Sequence, residues 1–250
     1  MNLIKTLILT ASFAIVAPAS ATIVTVYNDF DGGLINFNNT VASAGGTATH
    51  DQWVGLPSGT SIARPNYTIT RNDGSSMFPH AYTLWNSSPS RNTSGQVVDI
   101  DPYGTIGHGV GDGSLSKPSG VTLTFANPVN AIGFEVGDWS TCCQVSDLYI
   151  SFNNGAPIRV GHSTVFGDGF LTNGGAGVFV AAFDDSADFT TVQFWGDGYG
   201  EVLNFGGTVH YALLDQGSLP PTGVPEPGSL ALAGLGLLGL GALRRRRNNA

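Results

Sequence analysis

The chain reads as an all-β protein, an antiparallel β-sandwich of jelly-roll-like type, on three observations. Val121, Leu123 and Phe125 alternate with Thr122 and Thr124, and Ile132, Phe134 and Val136 alternate with Gly133 and Glu135. Such period-two alternation gives a strand one apolar and one polar face. Leu148, Ile150 and Phe152 lead into Asn153-Asn154-Gly155, a tight-reversal signal, and a strand returns at 158–160. Between Thr22 and Gly223 no stretch carries a helical stripe, and glycine (35 in all) punctuates short strands.

In chain order, the first strand falls at residues 22–27. Residues from about 33 to 119 are rich in Ser, Asn, Thr and Gly and read as long loops, broken by strands at 67–71 and 96–100. Asn127-Pro128 turns the chain between the two alternating strands. Further strands follow at 178–183, 190–195 and 208–214, so the ectodomain occupies residues 22–216.

Both ends carry processing signals. Lys5 is a positive n-region, residues 7–16 are mostly apolar, and Ala19-Ser20-Ala21 is an A-x-A site. Residues 1–21 therefore form a signal peptide, cleaved after Ala21. Residues 217–228 hold Pro220, Pro221, Pro225 and Pro227 and form a semi-rigid linker. Residues 229–247 follow as a transmembrane helix with an arginine stop, Arg244, Arg245, Arg246 and Arg247. Fifteen helical residues rise roughly 22 Å, short of a roughly 30 Å hydrocarbon core, so a buried helix is the competing reading. The run is apolar on every face, however, and four arginines have no place beside a protein core. Their charge sets the tail in the cytoplasm.

Pro225-Glu226-Pro227, the apolar run and the arginine cluster, in that order over residues 224–247, resemble the PEP-CTERM sorting signal of exopolysaccharide-producing Gram-negative bacteria. The resemblance implies export and transient anchoring in the inner membrane. It also implies recognition by an exosortase, a membrane cysteine protease acting near the Pro-Glu-Pro motif, before the product reaches the cell surface or the medium. Residues 121–139 also resemble strands of sandwich-type ectodomains that carry this signal, a likeness that brings no active site with it.

Removing both signals leaves Arg64, Arg71, Arg91, Lys117 and Arg159 against seventeen acids, a net charge near −12. Such a surface repels nucleic acid and other polyanions. Divalent cations and neutral glycans are better partners. Asp29 with Asp31, and Asp99 with Asp101, would each point two carboxylates to one face of an extended chain and are the candidate Ca²⁺ ligands. Asp184, Asp185 and Asp188 form a third acidic group. The competing reading is turn chemistry, which suits the many Asp-Gly pairs. Cys142 and Cys143 are adjacent and open to a vicinal disulfide, an interchain bond or free thiols, with a structural loop role favoured. Trp139 and Trp195 are the candidate sugar-stacking rings, with core filling as the alternative.

Catalytic motifs are sparse. G-x-S-x-G and H-E-x-x-H are missing, and Ser114-Leu115-Ser116-Lys117 sits between Gly113 and Pro118 rather than at a helix start. Glu135 and Asp138 are the pair that a glycosidase would need. The expectation is a non-enzymatic surface or matrix protein, sorted by an exosortase and associated with exopolysaccharide. A calcium-assisted carbohydrate-binding module is the alternative, and a secreted glycan hydrolase the second.

Overall fold

The computed structural model describes residues 22–84, 90–100, 120–139, 146–163, 177–198 and 202–219. Fourteen elements follow along the chain: β1 (Ile23–Tyr27), α1 (Phe30–Ser43), β2 (Thr49–Gln52), β3 (Ser61–Ala63), β4 (Tyr67–Arg71), β5 (His80–Thr83), β6 (Asn92–Ile100), β7 (Val121–Val129), β8 (Ala131–Gly137), β9 (Ser146–Phe152), β10 (Ile158–Ser163), β11 (Gly177–Phe183), β12 (Phe189–Gly198) and β13 (Leu203–Ala212). They form two antiparallel sheets, ordered β1-β11-β8-β13-β6-β5 (with β2 also on β13) and β10-β9-β12-β7-β4-β3. From β6 onward the chain changes sheet at every link except β9–β10.

The alternating residues meet between the sheets as expected. Ile132, Phe134 and Val136 of β8 and Val178, Val180 and Ala182 of β11 face Val121, Leu123 and Phe125 of β7 and Leu148 and Ile150 of β9, all buried in one core. Phe134 packs edge-on against Phe194 at 5.0 Å between ring centres. The Asn153-Asn154-Gly155 reversal forms, with φ of 49° and 58° at the two asparagines and Gly155 N–H donating to the Phe152 carbonyl. It sets the β9–β10 register, Ile158 against Ile150.

Three local expectations are corrected. Residues 30–43 form a helix, where the sequence shows no stripe. Its buried positions are only Phe30, Gly33, Phe37 and Val41, among Gly32, Asn36, Asn38, Asn39 and Thr40, so its inward stripe is one residue wide. The helix forms because Asp29 caps it and because Phe37 and Val41 bury against Phe179, Ala181 and Phe183 of β11, making a second core on the outer face of that sheet. Gly33 lets the backbone close onto Phe179, where any Cβ would collide. Asn127-Pro128 does not turn the chain: β7 continues through Val129, and the reversal comes at Asn130. There the Asn130 side chain accepts from Leu214 N–H and donates to the Leu214 carbonyl. In the stretch from Gly33 the expected strands appear as β4 and within β6, but the helix and β2, β3 and β5 stand where loops were expected; residues 101–119 lie outside the described set.

β13 changes partner along one edge. Leu203–Gly206 pair with β6, and Thr208–Tyr211 pair with β2. Between them Trp53 N–H donates to Gly207 O and Trp53 O accepts from Gln96 N–H, stitching the split. Gly206 and Gly207 carry φ of +143° and +71°. A Cβ on Gly206 would lie 2.6 Å from the Trp53 ring, and one on Gly207 would strike the Glu135 carboxylate. The Trp53 indole N–H donates to Tyr67 OH at 2.7 Å, and Tyr67 OH donates to Asp51 Oδ2 at 2.6 Å, so the wedge also ties β2 to the opposite sheet. Gly207→Ala therefore combines backbone strain with a clash. It should cost at least about 1–3 kcal/mol in urea unfolding, whereas Gly59→Ala, in ordinary contact only, should stay within about 0.5 kcal/mol.

Candidate functional site

The predicted cation ligands have other partners. Asp29 is itself extended, but it caps α1, its Oδ2 accepting from Gly32 N–H at 2.6 Å, and Asp31 already sits in the first helical turn, so the two do not share a strand face. Arg91 bridges both carboxylates, at 3.1 Å to Asp29 Oδ1 and 2.7 Å to Asp31 Oδ1, with its guanidinium 5.2 Å above the Phe30 ring. A guanidinium thus stands where these two acids would hold a metal. Asp99 is elsewhere, on β6, where its Oδ1 meets His80 Nε2 at 2.8 Å on an exposed edge. That partner raises the His80 pKa against a lowering by partial burial. Asp101 lies outside the described residues. Among those residues no group of three or more His, Cys, Asp or Glu side chains is placed to hold a metal.

Asp184 and its neighbours are turn and cap groups. Asp184 Oδ1 accepts from Ser186 N–H, Ser186 OH and Ala187 N–H, and its Oδ2 accepts from Thr22 OH; burial is the largest single influence and pushes its pKa up, but these bonds together outweigh it and lower the pKa. Asp185 Oδ2 takes the N–H of Leu219. Gly217–Leu219, assigned to the linker from the sequence, thereby still pack on the body.

Trp139 and Trp195 are both fully buried, so neither presents a ring face to a sugar in this structure. Trp139 belongs to the inter-sheet core, and Trp195 stacks on Tyr149 with 5.7 Å between ring centres. Core filling wins because Trp195 lies on β12 between β7 and β9, and Trp139, in the turn that follows β8, packs its ring over Gly161 of β10.

Beside Tyr149 is a cluster the sequence reading missed. Asp147 on β9 is fully buried; its carboxylate accepts from Tyr149 OH at 3.1 Å, pairs with Arg159 at 3.5 Å, and meets His162 Nδ1. The hairpin register brings them together, with His162 opposite Asp147 and Arg159 opposite Tyr149. The signal was present: an Asn-Asn-Gly reversal fixes which residues of two strands face each other. A guanidinium, an imidazole and a phenol compensate one buried acid here, with Arg159 half exposed.

The outer face of the β1-containing sheet holds two more buried titratable groups beside α1. Glu135 accepts from Ser94 N–H at 2.8 Å, satisfying a donor left where β6 leaves β13, and burial raises its pKa. Asp138, its proposed partner, ends the strand with φ of 61°. His210 lies between Phe37 and Phe179 with its Nδ1 2.5 Å from His50 Nδ1, and burial, aided by His50, depresses its pKa to about 4.

A family model described as the PEP-CTERM protein-sorting motif matches residues 223–247. The chain carries a PEP-CTERM sorting signal. Pro225, Glu226, Pro227 and the four arginines lie within that match and outside the described residues, as do Ala19, Ala21, Cys142 and Cys143. The PEP-CTERM match begins four residues after Leu219, the last described position of the body. Among the described residues no helix is long and apolar enough to cross a membrane. Comparison with curated proteins finds no match. Among solved structures, a mutant of a family 29 carbohydrate-binding module is similar at 12% identity and TM-score 0.30, over 70% of this chain and 99% of that one. An exo-β-1,3-galactanase from Phanerochaete chrysosporium with galactose is similar at 10% identity and TM-score 0.26, over 66% of this chain and 29% of that one. Likenesses this low carry no argument for fold or function.

Two measurements check these clusters. Glu135 is held above the ordinary carboxylate range, so its ionised form costs stability above that range, and the cost disappears as pH falls to the unfolded-state value. Glu135→Gln should therefore be more stable than the parent at pH 7 and equal to it near pH 3, while Glu135→Ala should lose about 1–3 kcal/mol by orphaning Ser94 N–H. His210 acts in the opposite sense: its stabilisation is present above pH 6.5 and is lost as pH falls to about 4. Separately, the double change Arg159→Ala with His162→Ala should cost about 3–5 kcal/mol in urea unfolding, since it strands a buried carboxylate.

Proposed function

We propose that this is an exported, non-enzymatic protein of the cell surface or extracellular matrix, sorted by an exosortase-type protease and associated with exopolysaccharide. One observation carries the reading: the match to the PEP-CTERM sorting motif at residues 223–247. The motif makes the chain a substrate of sorting. The A-x-A site ending at Ala21 supplies entry to the export route, and the run at 229–247 supplies a transient inner-membrane anchor.

The body fits a display role. The order β6-β13-β8-β11 facing β7-β12-β9-β10 is the wiring of a jelly roll, which we take as the ectodomain fold. Its described carboxylates and imidazoles serve the fold: Asp29 and Asp31 hold Arg91, Asp147 is enclosed by its partners, and Glu135 closes the sheet split. A net charge near −12 on the mature body keeps it soluble and away from polyanions.

Expression of the full chain in an exosortase-bearing, exopolysaccharide-producing host tests this reading. The parent should lose the mass of its C-terminal segment and appear at the surface or in the medium. Glu226→Ala should remain at full C-terminal length in the inner-membrane fraction. Equal processing and release of both chains would sink the proposal.

A further inference from the structure

An open cleft of about 270 Å³ lies where β5 and β6 diverge from the segment that follows β2. Tyr82, Trp53, Val54, Asn92, Thr93 and Gln96 line it, and every residue of the lining is uncharged. We propose that this cleft binds a neutral polysaccharide, taking one or two uncharged sugar units. The inference deepens the association with exopolysaccharide proposed above and rests on it.

The lining has the two kinds of group that an uncharged sugar needs. Pyranose rings offer an apolar C–H face and a rim of hydroxyls, so recognition calls for flat apolar surface beside donors and acceptors of fixed direction. Val54 is 66% exposed at the rim. Tyr82 is half-buried, its ring held in place against Gly137, where any Cβ would lie 2.6 Å from it. Gln96 is tied to the wall beside it, its Nε2 donating to the Pro79 carbonyl at 3.4 Å. The polar groups are oriented in advance. Asn92 is exposed, and its Oδ1 accepts from Thr83 OH at 2.6 Å, while Gln96 Oε1 accepts from Leu56 N–H at 2.7 Å. Holding the Asn92 oxygen fixes where its amide nitrogen points, and Gln96, engaged at both ends, keeps that wall rigid; both lower the ordering cost of binding.

Charge narrows the ligand further. The neighbouring Arg91 is engaged with Asp29 and Asp31, and His80, beside Tyr82, faces Asp99, so each basic group near the cleft already has an acidic partner. The mature body, with five basic against seventeen acidic residues, repels polyuronates at long range. Neutral hexose polymers meet neither obstacle.

Isothermal titration of the full chain, with hexasaccharides of glucose, galactose and mannose and with hexagalacturonate as the charged counterpart, tests the assignment. Saturable binding of at least one neutral oligomer is expected, with hexagalacturonate about tenfold weaker or more at low salt. Asn92→Ala and Val54→Asp change exposed side chains of the lining; each should weaken binding about tenfold or more with an unchanged unfolding midpoint. Neutral-sugar binding that survives both substitutions overturns the cleft and leaves the wider association standing. Failure to bind any of the neutral hexamers, while the producer's own extracellular polysaccharide still binds, also overturns the cleft alone. Failure to bind that polysaccharide as well overturns both.

Discussion

One ten-residue strand has to serve three neighbours, and two adjacent glycines allow it. β13 lies against β8 along one side, and along the other it passes from β6 to β2. The break at Gly206 and Gly207 makes room for the Trp53 ring on one face and the Glu135 carboxylate on the other. Trp53 then closes the gap with its own backbone and reaches Tyr67 across the core. Tyr67 in turn meets Asp51, which Arg64 grips with its guanidinium. A local backbone irregularity thus fixes the position of β2, β6 and the opposite sheet together, which is the role bulges commonly take near the rims of sheets.

The strands were readable where burial is one-sided. β7 alternates because one face meets the core and the other is open, and the Asn-Asn-Gly reversal carries its own backbone preference. α1 was not readable, since its residues are poor helix formers and its buried stripe is three side chains and a glycine. Beyond the Asp29 cap, what holds it is mainly β11, which lies some 140 residues further along the chain. The same limit governs the polar groups. Asp29 and Asp31 look like a paired ligand set until Arg91, distant in sequence, is placed between them. Trp139 and Trp195 look available until the sheets close around them. The sorting signal was legible throughout, since its meaning lies in linear order rather than in packing.

The two faces of the larger sheet follow different rules. Its inner face is apolar and shared with the other sheet, while its outer face mixes a helix, small residues and buried titratable groups. Ala131, Gly133, Ala181 and Ala212 are small because α1 lies close, and Phe37 and Phe179 fill the space they leave. His210 and Glu135 sit at the margins of this second core, where a helix covers a sheet incompletely. Their opposed responses to acid follow from that position: each is buried enough to favour its neutral form.

The tail leaves the body from β13, a strand in the middle of its sheet, after a last tie between Leu219 N–H and Asp185. Tension arriving through residue 220 would first load that tie and then draw β13 lengthwise against β8 on one side and β2 and β6 on the other. Many ladder bonds share such a load at once, where a tether on an edge strand would be peeled off one bond at a time. The point of departure therefore suits the transient C-terminal anchoring proposed above.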